Sequence, residues 1–486
     1  MYFNSSRGNS YWRERGRGRS RGSRYPGYPH GPSKSVIPEI PDHPLGSLIK
    51  ELQPADLASD AADHEQHASV TGCQLIASYN WTSSPTPTML MPGMPPRWTP
   101  LSQPMKLAED SGDYYRDRNA ARYPTHPMEP AVVAALSDAP NQCNSAEVDL
   151  IACSSTMGNL VRFLRGEQKP FRILVEEIGG TMFFIRREKS PTEKIPDVRG
   201  FGHTFPEHYT TWDQSVKSST SHQRLLSYSF GGMRCFVRFE ADGYLPAAKV
   251  SPPTRQTNAK AQRTAAATDF DDLLSTLEST TVDTTETPVA TAAEGLEIKN
   301  MGAKVDQSQI FDLKTRSFRR KFNQDTLSDE LPRLWVSQIP NFVLAYHTNG
   351  VFDDIRVQDV RAAVAAWEAQ QRPVLARLAA LLHRIRALVW QNPARRLELC
   401  HAADRPGILQ VRRQLPDAGD ALSAEVKARW LSAAGVQEEK DDGASVGSDT
   451  DSDSEISFGV HDGKEDFTDC SGACGYCGHC ASVKKA

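Results

Sequence analysis

Two short stretches, "FEADGY" (239–244) and "FDLKTR" (311–316), constrain this chain more than any other part of it. Each alternates apolar and charged residues with a period of two, the pattern of a half-buried strand. The charged positions are Glu240, Asp242, Asp312 and Lys314. Residues two apart on a strand project from one face, so Glu240 and Asp242 are expected to point together, as are Asp312 and Lys314. If the two strands are neighbours, three carboxylates and one ammonium converge on one sheet face. Carboxylates so close repel one another unless a cation sits among them, and oxygen donors of this kind suit Mg²⁺ or Mn²⁺. Such an ion activates a water and stabilises charge on a phosphate in transfer, and Lys314 orients that water or offsets the developing charge. The same alternation also describes two edge strands with solvated outer faces.

A chain of 486 residues has room for two or three domains, but its hydrophobic fraction is 39% and it carries 32 Gly and 32 Pro. Long stretches lack apolar periodicity, which reduces the expectation to one α+β domain, a mixed sheet with flanking helices, with disordered arms and a long disordered insert. The expected division is an Arg/Gly-rich arm (1–45), a first part of the domain (46–245), the insert (246–308), a second part (309–425), an acidic linker (426–469) and a cysteine cluster (470–480). Hairpins are expected over 171–188 and 222–245, turning at Gly179-Gly180 and Gly231-Gly232. The segments 129–136 and 156–166 read as helices, 331–347 as a helix or a helix followed by a strand, and 395–414 closes a further hairpin. The region after Val360 reads as helix, with Leu378, Leu381, Leu382, Ile385, Leu388 and Val389 forming a core stripe.

The net charge of −4 conceals an asymmetry between the two ends. Residues 1–35 hold seven arginines against one glutamate, interleaved with tyrosines and Trp12, a composition that suits single-stranded RNA as well as a solubilising tail. Residues 438–469 are strongly acidic and are expected to compete with RNA for basic surface or simply to solubilise. Neither an apolar signal segment nor a run of 18 apolar residues occurs, so no membrane partner is expected. Cys73, Cys143, Cys153, Cys235 and Cys400 are scattered and read as reduced core thiols, whereas Cys470, Cys474, Cys477 and Cys480 fall in "CSGACGYCGHC". Four thiols at C-x3-C-x2-C-x2-C spacing suit Zn²⁺ first and an Fe–S cluster second, with His479 an alternative ligand and a cysteine-rich tail the structural alternative. This cysteine usage points to a reducing compartment, nucleus or cytoplasm.

Glu-x-Asp followed by acid-x-Lys resembles the signature of PD-(D/E)XK nucleases. Five segments in order resemble the DXO family of decapping exoribonucleases: "MGNLVRFLRG…PFRILVEEIGGTMFFIRRE", "GFGHTFPEHY", "SSTSHQRLLSYSFGGMRCFVRFEADGY", "IFDLKTRS" and "LWVSQIPNFVLAYHTNGVFDDI". The resemblance spans about residues 73–420. It implies a nuclease-like mixed sheet, a divalent-metal pocket, and hydrolysis at RNA 5′ ends: removal of incomplete or NAD caps and 5′→3′ trimming. By carry-over, Glu240, Asp242 and Asp312 hold the metal, Lys314 assists the attack, and Glu207 is a fourth carboxylate. A 5′→3′ exoribonuclease or another RNA-processing protein is the implied protein partner. His222, Arg224, Arg316, Arg319 and Arg320 are candidates for RNA contact, with a structural pair and a solvated basic loop as the competing readings. Three departures stand out: Asp312 replaces the family's Glu, Pro206 separates Phe205 from Glu207, and the insert has no counterpart. A rival expectation is therefore a non-catalytic RNA-binding scaffold with a drifted site. The chain is also similar to fungal proteins that carry a geranylgeranyl-diphosphate-synthase name. Its "FDDLLS" and "FDDIRV" lack the third Asp of a DDxxD motif, so the residues do not support prenyl synthesis.

Overall fold

The Gly179-Gly180 and Gly231-Gly232 pairs do what their sequence promises: all four take positive φ and turn hairpins. The first joins strands Phe171–Ile178 and Thr181–Arg186, the second joins Ser219–Phe230 and Met233–Glu240. The computed structural model describes residues 42–138, 144–247, 295–322 and 325–435. The Arg/Gly arm through residue 41, residues 248–294, most of the acidic segment and the cysteine cluster lie outside the described residues.

The described residues form an α+β architecture around two main sheets. In the larger, eleven strands run in the order Leu48–Leu52, Leu409–Arg413, Arg396–His401, Phe171–Ile178, Thr181–Arg186, Leu150–Cys153, Met233–Glu240, Ser219–Phe230, Thr71–Thr82, Thr88–Gly93 and Glu297–Gly302. Its central strands are buried on both faces because helices cover each side. Helices Ser154–Leu164, Thr326–Val336 and Arg372–Gln391 pack on one face around Leu160, Trp335, Leu378 and Leu382. Helices Glu129–Asp138 and Ala424–Ala433 pack on the other around Val132, Phe183 and Trp430.

The smaller sheet orders Thr210–Thr211, Arg97–Trp98, Gly243–Tyr244, Ile310–Ser317, Asn341–Thr348 and Val351–Asp359. A third apolar cluster, with Phe205, Phe311, Val343 and Phe352, packs on one of its faces.

Several expectations are met. The 331–347 segment is a helix ending at Val336 and a strand beginning at Asn341, with Pro340 between them. The long apolar helix is buried along Leu378, Leu381, Leu382, Ile385 and Val389, although it separates at Gln371 from a preceding helix, Arg361–Gln370. Two expectations are corrected. The insert does not extend to residue 308: Glu297–Gly302 is a strand pairing in parallel with Thr88–Gly93, anchored by the buried Leu296. Cys73 is exposed rather than a core thiol, while Cys153, Cys235 and Cys400 are buried as expected. Among the described residues, no helix is long and apolar enough to cross a membrane.

Candidate active site

Glu240 is the last residue of its strand in the larger sheet. The chain then leaves that sheet at Ala241–Asp242 and enters the smaller one as Gly243–Tyr244, opposite Phe311 and Ile310. Gly243 is required here, because a Cβ would stand 2.4 Å from the Phe311 ring and 2.7 Å from the Pro96 carbonyl oxygen. The two motifs therefore lie side by side in one sheet only through Gly243–Tyr244, while Glu240 stays in the other sheet. They meet at the joint between two sheets, and Asp242 is the residue at that joint. Its carboxylate accepts a 2.7 Å hydrogen bond from the Leu313 backbone N–H, tying the turn to the second motif strand.

On that second strand, Asp312, Lys314 and Arg316 alternate with Phe311 and Leu313. Phe311 and Leu313 enter the apolar cluster, which leaves the charged set on the opposite face. There it meets the helix Thr326–Val336. Arg333 of that helix donates to the Asp312 carboxylate and, at 3.0 Å, to Glu330. Glu330 also stands 3.6 Å from Arg316. Asp312, Lys314, Arg316 and Glu330 are all buried. Glu240 accepts from Gln223 at 3.1 Å and pairs with Arg118 at 3.5 Å.

Burial pushes the Asp312 carboxyl up to about 8; Arg333 and Lys314 oppose this rise, and the hydrogen-bonded Asp242 adds to it. Burial also raises Glu240, with Arg118 opposing and Asp242 contributing. Burial acts to raise Glu330 too, but Lys314, Arg333 and Arg316 outweigh it and hold that carboxyl below its ordinary range. The centre is thus a chain of four carboxylates, Glu240, Asp242, Asp312 and Glu330, threaded with four cations, Arg118, Lys314, Arg316 and Arg333. Asp242 interacts with the carboxylates on both sides of it.

This donor set fits a hard divalent cation in kind, being all carboxylate oxygen and holding two close carboxylates, Asp242 and the buried Asp312, whose mutual repulsion a cation relieves. The arrangement is less complete. Among the described residues no three His, Cys, Asp or Glu side chains are grouped to hold a metal ion, and Asp312 already carries the Arg333 guanidinium.

Glu207 does not join the group. On its short helix, Phe205 and Tyr209 take the buried side four residues apart, which leaves Glu207, midway between them, exposed. Its field instead reaches Tyr114, which burial, Asp110 and Glu207 all raise and whose ring stacks on His203 at 3.7 Å. His222 and Arg224 are corrected as RNA contacts, because both are fully buried. His222 bonds Asn80, and Arg224 donates to Gln307 at 3.0 Å and to the Val305 carbonyl at 2.9 Å. Arg316 is likewise buried, against Glu330. Arg319 and Arg320 fall on the short 3₁₀ turn Phe318–Phe322, beside the exposed Phe322.

Sequence reasoning missed Glu330 and Arg333. The available signal was Glu330 itself, a charge set among Leu327, Leu331 and Leu334 on the apolar side of "TLSDELPRLWV".

A sequence profile described as "Domain of unknown function (DUF8563)" matches residues 61–411. No curated protein matches the chain. Among solved structures, the chain is similar to Rai1 of S. pombe, with 11% identity and a TM-score of 0.46 over 75% of this chain and 99% of that one. It is similar to Rai1 of Scheffersomyces stipitis in complex with (3′-NADP)⁺ and calcium ion, with 11% identity and a TM-score of 0.47 over 80% and 100%. It is also similar to Rai1 of Candida albicans in complex with pU5-Mn²⁺, with 8% identity and a TM-score of 0.44 over 81% and 99%.

Proposed function

The chain belongs to the DUF8563 family, and from that premise we propose that it is a divalent-metal-dependent hydrolase acting at RNA 5′ ends. The observation that carries the reading is the pair of Asp242 and the buried Asp312 beside Lys314, assembled where two sheets meet and flanked by Glu240. The five collinear segments that resemble the DXO family support it. Asp242, Asp312 and Glu240 would hold Mg²⁺ or Mn²⁺, which supplies Lewis-acid stabilisation and an activated water. Lys314, on the same strand face as Asp312, offsets charge on the attacked phosphate. Arg118 and Gln223 hold the Glu240 carboxylate in place.

A second reading, an RNA-binding scaffold that has lost catalysis, is favoured by one specific observation. Arg333 neutralises Asp312 from within, and the four carboxylates are matched by four cations without a metal. One experiment separates the two. The purified full chain is incubated with Mn²⁺ or Mg²⁺ and with RNA bearing triphosphate, monophosphate, methylated-cap or NAD 5′ ends, and Mn²⁺ affinity is measured by titration calorimetry alongside. The hydrolase reading expects metal-dependent release of 5′ products from at least one end type and Mn²⁺ binding that Asp242→Asn weakens. RNA binding without metal binding and without turnover establishes the scaffold. The C-terminal cysteines are proposed to hold Zn²⁺, and the chain to act in nucleus or cytoplasm.

A further inference from the structure

Strand Val351–Asp359 is the outermost strand of the smaller sheet. Among the described residues only Lys106 bridges its outer side, at Val351. An edge strand presents unpaired N–H and C=O groups that a further strand can pair. Register assigns the two faces of this edge. Val357 pairs with Val343 and Ile355 with Ala345, so both lie on the face of the Phe205–Phe311–Phe352 cluster. Ile355 packs against that cluster, but Val357 at the rim is 46% exposed. Arg356 pairs with Leu344, which pairs with Lys314, so Arg356 lies on the opposite, charged face.

A basic turn borders that charged face. Phe318–Phe322 carries Arg319, Arg320 and Lys321, and Phe322 at its end is 75% exposed. Lys321 reaches Asp354 at 2.8 Å, and Arg356 reaches the same carboxylate at 2.9 Å. Both cations also stand over the Tyr346 ring. Asp354, the acid of this face, is therefore met by two cations, and Asp359 at the end of the strand pairs with Arg361. The edge thus has an apolar side with an uncovered valine and a side on which basic groups outnumber the acid.

The sequence beyond the described residues holds a segment with the complementary pattern. "DSDSEISFGV" (451–460) alternates with a period of two. An extended chain with this sequence sets Asp451, Asp453 and Glu455 on one face and Ile456, Phe458 and Val460 on the other. We propose that residues 451–460 dock in cis as an added strand on the outer edge of Val351–Asp359. Their apolar residues lie beside Ile355 and Val357, and their acids lie toward Arg356 and the basic turn. Main-chain pairing supplies the affinity and the alternate side chains select the facing, as in peptide recognition by strand addition. Residues 436–450 link this segment to Gly435, the last described residue, and reach up to about 50 Å when extended. Docking does not depend on the carboxylate site being catalytic.

The test is amide hydrogen exchange on the full chain and on the double variant Ile456→Asp/Phe458→Asp, whose changes lie outside the described elements. Outward-facing amides within 353–359 are expected to exchange about tenfold or more slowly in the full chain than in the double variant. Val357→Lys, at an exposed position, is expected to remove the same protection with an unchanged melting curve. A labelled peptide of residues 449–462, added to the double variant, is expected to bind and to restore the protection. Sedimentation at the exchange concentrations identifies the occupant. A monomer with a protected edge supports docking in cis, whereas protection that appears only with a dimer assigns the strand to a second copy and overturns it. Equal exchange across 353–359 in the full chain and the double variant overturns the proposal. So does a peptide that fails to bind, or that binds without protecting that edge.

Discussion

Asp312 is pressed between a guanidinium from a helix and a second carboxylate from a turn, and Lys314 two residues on lies against the same helix. Removing the lysine therefore has two consequences. Lys314→Met is expected to lower turnover at RNA 5′ ends by about a hundredfold or more, through loss of charge stabilisation. It is also expected to cost about 3–5 kcal/mol of stability, because Glu330 and Asp312 stay buried with less compensation. Single-turnover rates and urea melts on one preparation read both effects. Asp242→Asn keeps the acceptor for the Leu313 N–H and removes only the charge, so its activity loss is expected to come with little change in the melt. Full activity in either variant removes this site from the chemistry. A third residue carries a pH signature. Burial first, and Arg224 second, hold His222 well below its ordinary value, so its folded form stays neutral. The unfolded chain protonates it near pH 6.5, so the stability contributed is complete above about pH 6.5 and falls as pH is lowered below it. Thermal midpoints are expected to decline from pH 7 to pH 5, and less steeply in His222→Gln. Equal slopes would place the acid sensitivity elsewhere.

Among the elements, the strands that read most plainly in the sequence are those with glycine turns and apolar alternation. The two hairpins and the closing pair Arg396–His401 and Leu409–Arg413 stand where their pattern put them. One element that did not read was Glu297–Gly302, whose side chains are mostly exposed and show no apolar period. It holds its place by parallel backbone pairing and by a close approach of two glycines. Gly302 has φ +88°, and a Cβ there would lie 2.6 Å from the Gly93 carbonyl. Gly302→Ala is expected to cost about 1–3 kcal/mol from the backbone conformation, with the clash against Gly93 added. Faster amide exchange across 88–93 would locate that loss, and an unchanged denaturation midpoint would show that the edge strand contributes nothing. The helix Thr326–Val336 was legible as a helix, but its role in the site was not. Glu330 and Arg333 interpret their surroundings only when the second motif strand is laid against them.

At the scale of the molecule, the charge asymmetry of the chain makes a prediction that needs no contact geometry. Residues 1–35 hold seven arginines against one glutamate, and each phosphate they neutralise adds about 0.7 to the log–log salt slope of single-strand binding. Removing them is expected to weaken RNA binding and flatten its salt dependence, with turnover of saturating short RNA nearly unchanged. Removing residues 438–456, an acidic stretch, is expected to tighten binding at low salt. RNA affinities across a salt series for the full chain and both truncations decide this. Identical slopes in all three would make the arms solubilising tails.

What the sequence determined by itself was local: which stretches alternate, where glycines turn, which helix faces are apolar, and that Glu240, Asp242, Asp312 and Lys314 are the candidates for one centre if their strands meet. Each follows from a period or a backbone preference that operates over a few residues. What the tertiary structure decided was the company those residues keep. Asp242 sits at a crossing between two sheets rather than on a strand face, because Gly243 lets the chain pass Phe311 closely. Glu207 points to solvent because Phe205 and Tyr209 claim the inner side of its helix. Arg333 reaches Asp312, and Lys321 and Arg356 meet on Asp354. Electrostatic fields act through space, and packing sets which charges share it, so these pairings are properties of the folded chain and not of any stretch of it.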